Sequence, residues 1–187
     1  MSKIIVESYN PKWKTEFEKS YTFYKRLLEN INVKIEHVGS TAVDGMWAKP
    51  ILDIDIIVMN TKDSKQVLER LIGVDYIHIG NLGVEGREAL KYKEDNKHIK
   101  WMDHNLYVCI DGCENLRNHL LLRNHLRNNE KAIEAYSKIK RELAAKYPND
   151  IDSYIEGKTT IISEFLKNEG MYIDELKRIE TINKKSK

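Results

Sequence analysis

The sequence predicts an α/β protein of the α+β kind, with a mixed β-sheet and flanking helices in its first part and a helical C-terminal half. Short runs dense in Ile, Leu and Val alternate with helix-spaced segments up to about residue 112. After Cys113 the strand-like runs stop, and Leu, Ile and Tyr recur at spacings of three and four. With 187 residues and 41% apolar content, the chain suits one cooperative domain with a sizeable core. Its parts are a mixed α/β core over 1–112, packed helices over 113–169 and a tail or terminal helix over 170–187.

Ile4 to Tyr9 reads as a short strand, and Asn10-Pro11 as an N-cap followed by proline at the first helical position. Trp13, Phe17, Tyr21, Tyr24, Leu28 and Ile31 then share one helix face, predicted to be core. Lys34 to Val38 and Ile51 to Met59 are strands, separated by a turn-rich stretch. A helix fits Lys62 to Leu71, a strand fits Tyr76 to Ile79, and His104 to Ile110 supplies a further strand after a charged loop. Three helices follow, on Leu116, Leu120 and Leu121, then Ile133, Tyr136, Ile139, Leu143 and Tyr147, then Ile151, Tyr154, Ile155, Ile162 and Phe165. Asn149-Asp150, after Pro148, separates and caps the last two. From Met171 a weak amphipathic pattern runs into Lys184, Lys185 and Lys187, a frayed helix with a basic tail.

Charge excludes little but directs attention to local sites: 31 Lys+Arg nearly cancel 29 Asp+Glu, so the net +2 advertises neither a nucleic-acid nor a membrane partner. Met1 to Tyr9 lacks the apolar core of a secretory signal, and no uninterrupted apolar run approaches the ~20 residues that span a bilayer, so a cytoplasmic location is expected. Cys109 and Cys113 are too few for a disulfide framework and are expected as reduced thiols. His104 and His119 lie near them, but the spacing fits no familiar zinc finger.

The chemistry concentrates in His37-Val38-Gly39-Ser40-Thr41 and, after a loop, in Ile51-Leu52-Asp53-Ile54-Asp55-Ile56-Ile57-Val58. Burying an ionised carboxylate without a partner is costly, so two aspartates inside an apolar strand call for compensation. Alternation along a strand projects Asp53 and Asp55 to one face, about 6.5–7 Å apart along the backbone, where they converge on a common cation. Mg2+ (or Mn2+) suits carboxylates shared with substrate phosphates. Gly39 permits close backbone approach, and Ser40 offers a hydroxyl and an amide toward an anion, which together make a phosphate cradle.

Gly-Ser followed by Asp-x-Asp in an apolar strand resembles the signature of the polymerase-β-like nucleotidyltransferase superfamily. The fuller text, His37 to Val43 and Lys49-Pro50-Ile51-Leu52-Asp53-Ile54, resembles the GrpB family within it. The likeness begins at Tyr9-Asn10-Pro11-Lys12-Trp13 and resumes at Gly83-Val84-Glu85-Gly86-Arg87-Glu88-Ala89 and His104-Asn105-Leu106-Tyr107-Val108. It then runs through Leu122-Arg123-Asn124-His125-Leu126-Arg127 to Tyr154-Ile155-Glu156-Gly157-Lys158. The resemblance implies the nucleotidyltransferase fold and transfer of a nucleotidyl group from a nucleoside triphosphate to an unidentified acceptor. Asp44 stands where that family commonly shows proline. The third carboxylate of the wider superfamily has no counterpart inside His104 to Ile110, which leaves Asp103, Asp111 or Glu88 as candidates and His104 as an alternative general base.

Lys158 falls on the stripe through Ile151, Tyr154, Ile161 and Phe165, so its ammonium either snorkels out or meets an anion. Lys49, four residues before Asp53, and Arg87, in a glycine-punctuated turn, are candidates to offset triphosphate charge or are solvated surface charges. Arg123 and Arg127, one helical turn apart, are further substrate candidates. The assembled expectation is a catalytic set of Asp53, Asp55 and His104, metal on Asp53 and Asp55, and phosphates on Gly39, Ser40, Lys49, Arg87 and Lys158. The alternative is an inactive nucleotide-binding or sensor module of the same fold. Nucleic acid is neither indicated nor excluded, and the oligomeric state is open.

Overall fold

The computed structural model of the chain describes residues 3–93 and 101–184; the basic residues Lys185 and Lys187 lie outside them. Helix α1 (Lys12–Leu27) leads into β1 (Val33–Val38), a single 3-10 turn (Ser40–Ala42) and β2 (Leu52–Val58). Then come α2 (Thr61–Ile72), β3 (Tyr76–Gly80), β4 (Arg87–Tyr92) and β5 (His104–Ile110), followed by α3 (Glu114–Arg127), α4 (Glu130–Lys146), α5 (Ile151–Asn168) and α6 (Ile173–Asn183). The five strands form one mixed sheet in the order β1-β2-β5-β4-β3, in which only β2 and β5 run parallel.

Alternation divides this sheet into two faces. Leu52, Ile54, Ile56, Leu106 and Val108 pack with Trp13, Tyr24 and Leu28 of the α1 region and with Val67 and Leu71 of α2, forming the main core. Ile57 and Cys109 face the other way, onto Leu116 of α3. The remaining helices stack behind α3, with Phe165 of α5 against Tyr136 and Ala132 of α4 and Leu126 of α3. Helix α6 closes over Leu166 through Leu176 and Ile179.

Several local expectations are corrected. Ile4 to Tyr9 forms no strand: Glu7 makes one isolated bridge to Ala48, and the Ile4 amide donates to the Pro148 carbonyl at 2.7 Å. Helix α1 begins one residue late, with Pro11 in the cap position and the Asn10 side chain accepting the Lys12 amide at 3.1 Å. Tyr21 is 40% exposed, off the buried face of α1. Strand β4 begins at Arg87, where a turn was read, because its own residues are too polar to signal a strand and its place is set by pairing with β5. In α4 the buried positions are Ala132, Tyr136, Ser137 and Lys140, one residue round from the apolar stripe. Asp150 does cap α5, its carboxylate accepting the Ser153 amide at 3.1 Å.

Candidate active site

Strand β2 delivers both aspartates to the face opposite the main core. Asp55 is wholly buried; its Oδ2 lies 2.9 Å from His119 Nδ1 on α3, and its Oδ1 has no partner among the described residues. Asp53 Oδ1 accepts from Asn105 Nδ2 at 2.8 Å, across the parallel β2–β5 pairing. Burial is the main reason that the Asp53 pKa is raised; the charge of Asp55 adds to it, while the Asn105 hydrogen bond and His119 oppose it. For His119, burial disfavours the charged form, but the charge and hydrogen bond of Asp55, with help from Asp53, outweigh it and leave the pKa raised.

Beside Asp53 the backbone of Gly39 turns with φ +70°. A Cβ there would overlap Asp53 Oδ2 and come within 2.9 Å of its Cγ, so both the conformation and the close approach require glycine. The turn is braced from both sides. His37 Nε2 lies 3.0 Å from Thr41 Oγ1, and Arg127 donates to the Ala42 carbonyl at 2.8 Å through Nη2 and 3.0 Å through Nε. Arg123 donates to the His37 carbonyl at 2.9 Å and to Glu36 at 2.7 Å. Arg123 and Arg127, candidates for substrate contact in the sequence, hold the turn in shape.

Three lysines meet at the same end of the site. Lys49, Lys140 and Lys158 line, with Ser40, Asp53 and Tyr154, a pocket of about 70 Å³. Lys158 lies 4.7 Å and Lys49 5.8 Å from the centre of the Tyr154 ring, and Lys140 lies 4.7 Å from that of Tyr136. Burial lowers the pKa of each; Lys158 falls to about 8, pushed further by Lys49, and Lys140, pushed by Lys158, falls well below the usual lysine range. Lys140 is 2% exposed and its Nζ has no hydrogen-bond partner among the described residues. Three lysine amines thus converge on one small pocket, and the Lys140 Nζ is a buried donor with no acceptor among the described residues.

His104 is corrected. It sits on the core face of β5, its Nε2 2.6 Å from the Tyr76 hydroxyl and 3.3 Å from that of Tyr24, with Nδ1 3.0 Å from the Met102 carbonyl. The sheet separates it from the aspartates, since it stands opposite Leu52 in the alternation. Asn105, not an acid, faces Asp53. Of the candidates for a third carboxylate, Glu88 pairs with His78 at 2.6 Å, and Asp111 lies four residues beyond Tyr107, about 13 Å along the strand. Asp103 is exposed ahead of β5, its carbonyl accepting the Leu52 amide. No group of three or more His, Cys, Asp or Glu side chains is arranged to hold a metal ion among the described residues. Arg87 stands on β4, its guanidinium 5.1 Å from the centre of the Tyr107 ring.

His119 and Lys140 were missed. Lys140 follows Ala132 and Tyr136 at steps of four, the signal that singled out Lys158, whereas nothing local distinguishes His119.

A mixed sheet carrying two aspartates beside a glycine-serine turn, with helices stacked on that face, defines a protein of the nucleotidyltransferase fold. A structure of Cid1 in complex with its short product ApU superposes with a TM-score of 0.52 over 72% of this chain and 42% of that one, at 14% identity. The chain belongs to the GrpB family, described as GrpB protein, which matches residues 3–168. The crystal structure of conserved protein GrpB from Enterococcus faecalis superposes with a TM-score of 0.74 at 31% identity, over 89% of this chain and 100% of that one. Glutamate-rich protein GrpB of Alkalihalophilus pseudofirmus is 30% identical over 165 residues, 88% of this chain and 94% of its own. UPF0157 protein YqkA of Bacillus subtilis is 31% identical over 156 residues, 83% of this chain but 44% of the relative's length.

Proposed function

We propose that the chain is a metal-dependent nucleotidyltransferase that moves a nucleotidyl group from a nucleoside triphosphate to an acceptor hydroxyl or phosphate. The observation that carries this reading is the juxtaposition of the Asp53–Asp55 pair, the Gly39-Ser40 turn and the Lys49, Lys140 and Lys158 pocket on one sheet face. The buried Asp55 Oδ1 is an acceptor with no partner among the described residues, on the same strand face as Asp53, so the oxygen donors present fit magnesium or manganese. When bound, that ion lowers the cost of charge on the transferring phosphate and on the leaving pyrophosphate.

The chain's own residues do the rest. Asp53 and Asp55 hold the cation, Ser40 offers its hydroxyl and amide to the phosphates, and Lys49, Lys140 and Lys158 receive the charge that leaves with pyrophosphate. An acceptor oxygen attacks the α-phosphorus and gives up any proton it carries to solvent; one P–O bond forms as the bond from the α-phosphorus to the bridging oxygen breaks in line, and that oxygen leaves with pyrophosphate. His119 holds Asp55 in position. The setting is the cytoplasm, where Cys109 and Cys113 stay reduced.

A second reading, a nucleotide-binding module without turnover, is favoured by Asn105 occupying the strand position beside Asp53. Thermal shifts with each nucleoside triphosphate, with and without magnesium, test both. Saturating ligand, at about 100 times its Kd, should stabilise the native protein by about 2.7 kcal/mol, and Asp53→Asn should lose this. Absence of any magnesium-dependent shift in the native protein would remove both readings, and pyrophosphate release with candidate acceptors separates enzyme from module.

A further inference from the structure

The carboxylates stand between two cationic regions. The three lysines lie at the Asn105 end of β5; at its other end a cavity of about 1100 Å³ opens, walled by Gly86, Arg87, Asn115, Asn118 and His119. It is far larger than the lysine pocket and continuous with it along Ser40, Asp53 and Lys158, which border both, so Arg87 and Asn115 stand at the far end of the space that the Gly39-Ser40 turn opens into.

On its wall two donors lack acceptors. Arg87 donates through Nη1 to Asn115 Oδ1 at 3.1 Å and through Nη2 to the Asn81 carbonyl at 3.2 Å. Arg87 Nε and Asn115 Nδ2 have no partner among the described residues, although both are shut off from solvent. Buried nitrogens of this kind are normally satisfied, and here both gaps are donors. Among the described residues the hydrogen-bond partners of the guanidinium are neutral oxygens, and none is a carboxylate. An occupant that completes this wall presents oxygen acceptors and carries negative charge.

Register fixes where this lies. Arg87 pairs with Cys109, which pairs with Ile57, two residues beyond Asp55. Two strands laterally and two residues lengthwise put Arg87 and Asp55 about 12 Å apart at the backbone, a span that a small molecule bridges. The guanidinium leans back over Tyr107, the neighbour of Asp55 on β5.

We propose that Arg87 and Asn115 form the acceptor's anchor and that the acceptor is a small oxyanion, carrying a carboxylate or a phosphate at one end and its reactive hydroxyl at the other. The proposal rests on the nucleotidyltransferase reading and deepens it, moving Arg87 from the triphosphate to the second substrate. Because both free donors are shut off from solvent, the anion reaches them through rotation of the guanidinium and carboxamide.

Calorimetric titration of the full chain, loaded with magnesium and a non-hydrolysable triphosphate, tests this with three matched probes. Glycerol 3-phosphate carries a phosphate, glycerate a carboxylate and glycerol neither. At least one anion should bind saturably and glycerol should not; the tighter anion identifies the group. Arg87→Gln should weaken that anion about tenfold or more. Arg87→Lys, which keeps the charge without the fork, should fall between, and Asn115→Leu, on a different element, should weaken it independently. Melting curves exclude variants that have not folded. Glycerol binding as well as the anions, neither anion binding the native protein, or Arg87→Gln weakening the triphosphate as much as the anion would each overturn the proposal. Should the triphosphate not bind native protein, the nucleotide reading alone fails, and the anion titrations on unloaded protein still decide for or against the Arg87 site.

Discussion

Single atoms decide most of the site. Gly39 is confined by Asp53, so Gly39→Ala should cost about 1–3 kcal/mol in denaturant unfolding and also abolish the magnesium-dependent thermal shift, because the added methyl displaces the carboxylate. His37, buried against Phe17 with ring centres 4.6 Å apart, has its pKa lowered from 6.5 to about 4, first by burial and then by Arg127 and Arg123. Between those values the unfolded chain holds a proton that the folded chain refuses, so stability falls as pH drops from about 6.5 toward 4. The loss is on the order of 3 kcal/mol, and His37→Gln should flatten the acid limb of stability measured against pH. Asp53, Asp55, Gly39 and Ser40 were legible because a charge in an apolar strand, or a glycine beside one, contradicts its local context. His119 was not legible, since a histidine on a polar helix breaks no local pattern.

Elements were legible in proportion to their own apolar content. Strand β5 and helix α2 read within a residue of their observed limits, for each carries a periodicity that its packing then uses. Strand β4 was invisible because Arg87, Glu88 and Lys91 hide it, and only hydrogen bonding to β5 makes it a strand. His104 was named as a possible base because the sequence gives alternation within a strand but not the register between strands, and it is the pairing of His104 with Leu52 that puts it on the core face. The cap of α5 is local and testable. Asp150→Ala should cost about 1 kcal/mol, seen as a fall of roughly 2–4 °C in Tm.

Across the whole molecule the two halves are tied by side chains that cross between them. Arg123 and Arg127 grip the β1–β2 connection, His119 reaches Asp55, and the Trp47 amide donates to Ser137 Oγ at 3.2 Å. Unfolding should accordingly be one transition, with near-ultraviolet signals from the sheet-side tryptophans and far-ultraviolet helix signals coinciding; two separated midpoints would contradict it. Among the described residues no helix is long and apolar enough to cross a membrane. By itself the sequence determined the α+β order, the same-face aspartates and the glycine-serine turn, because each follows from backbone periodicity or from the conformational demands of one residue. Only the tertiary structure decided that Lys140 and His119 join them, that Arg123 and Arg127 are braces, that His104 lies across the sheet and that Arg87 lines the far end of the cavity that reaches Asp53. Those assignments depend on helices far along the chain settling on one face of the sheet, and a side chain's partner across such a distance is set by packing rather than by its neighbours in sequence.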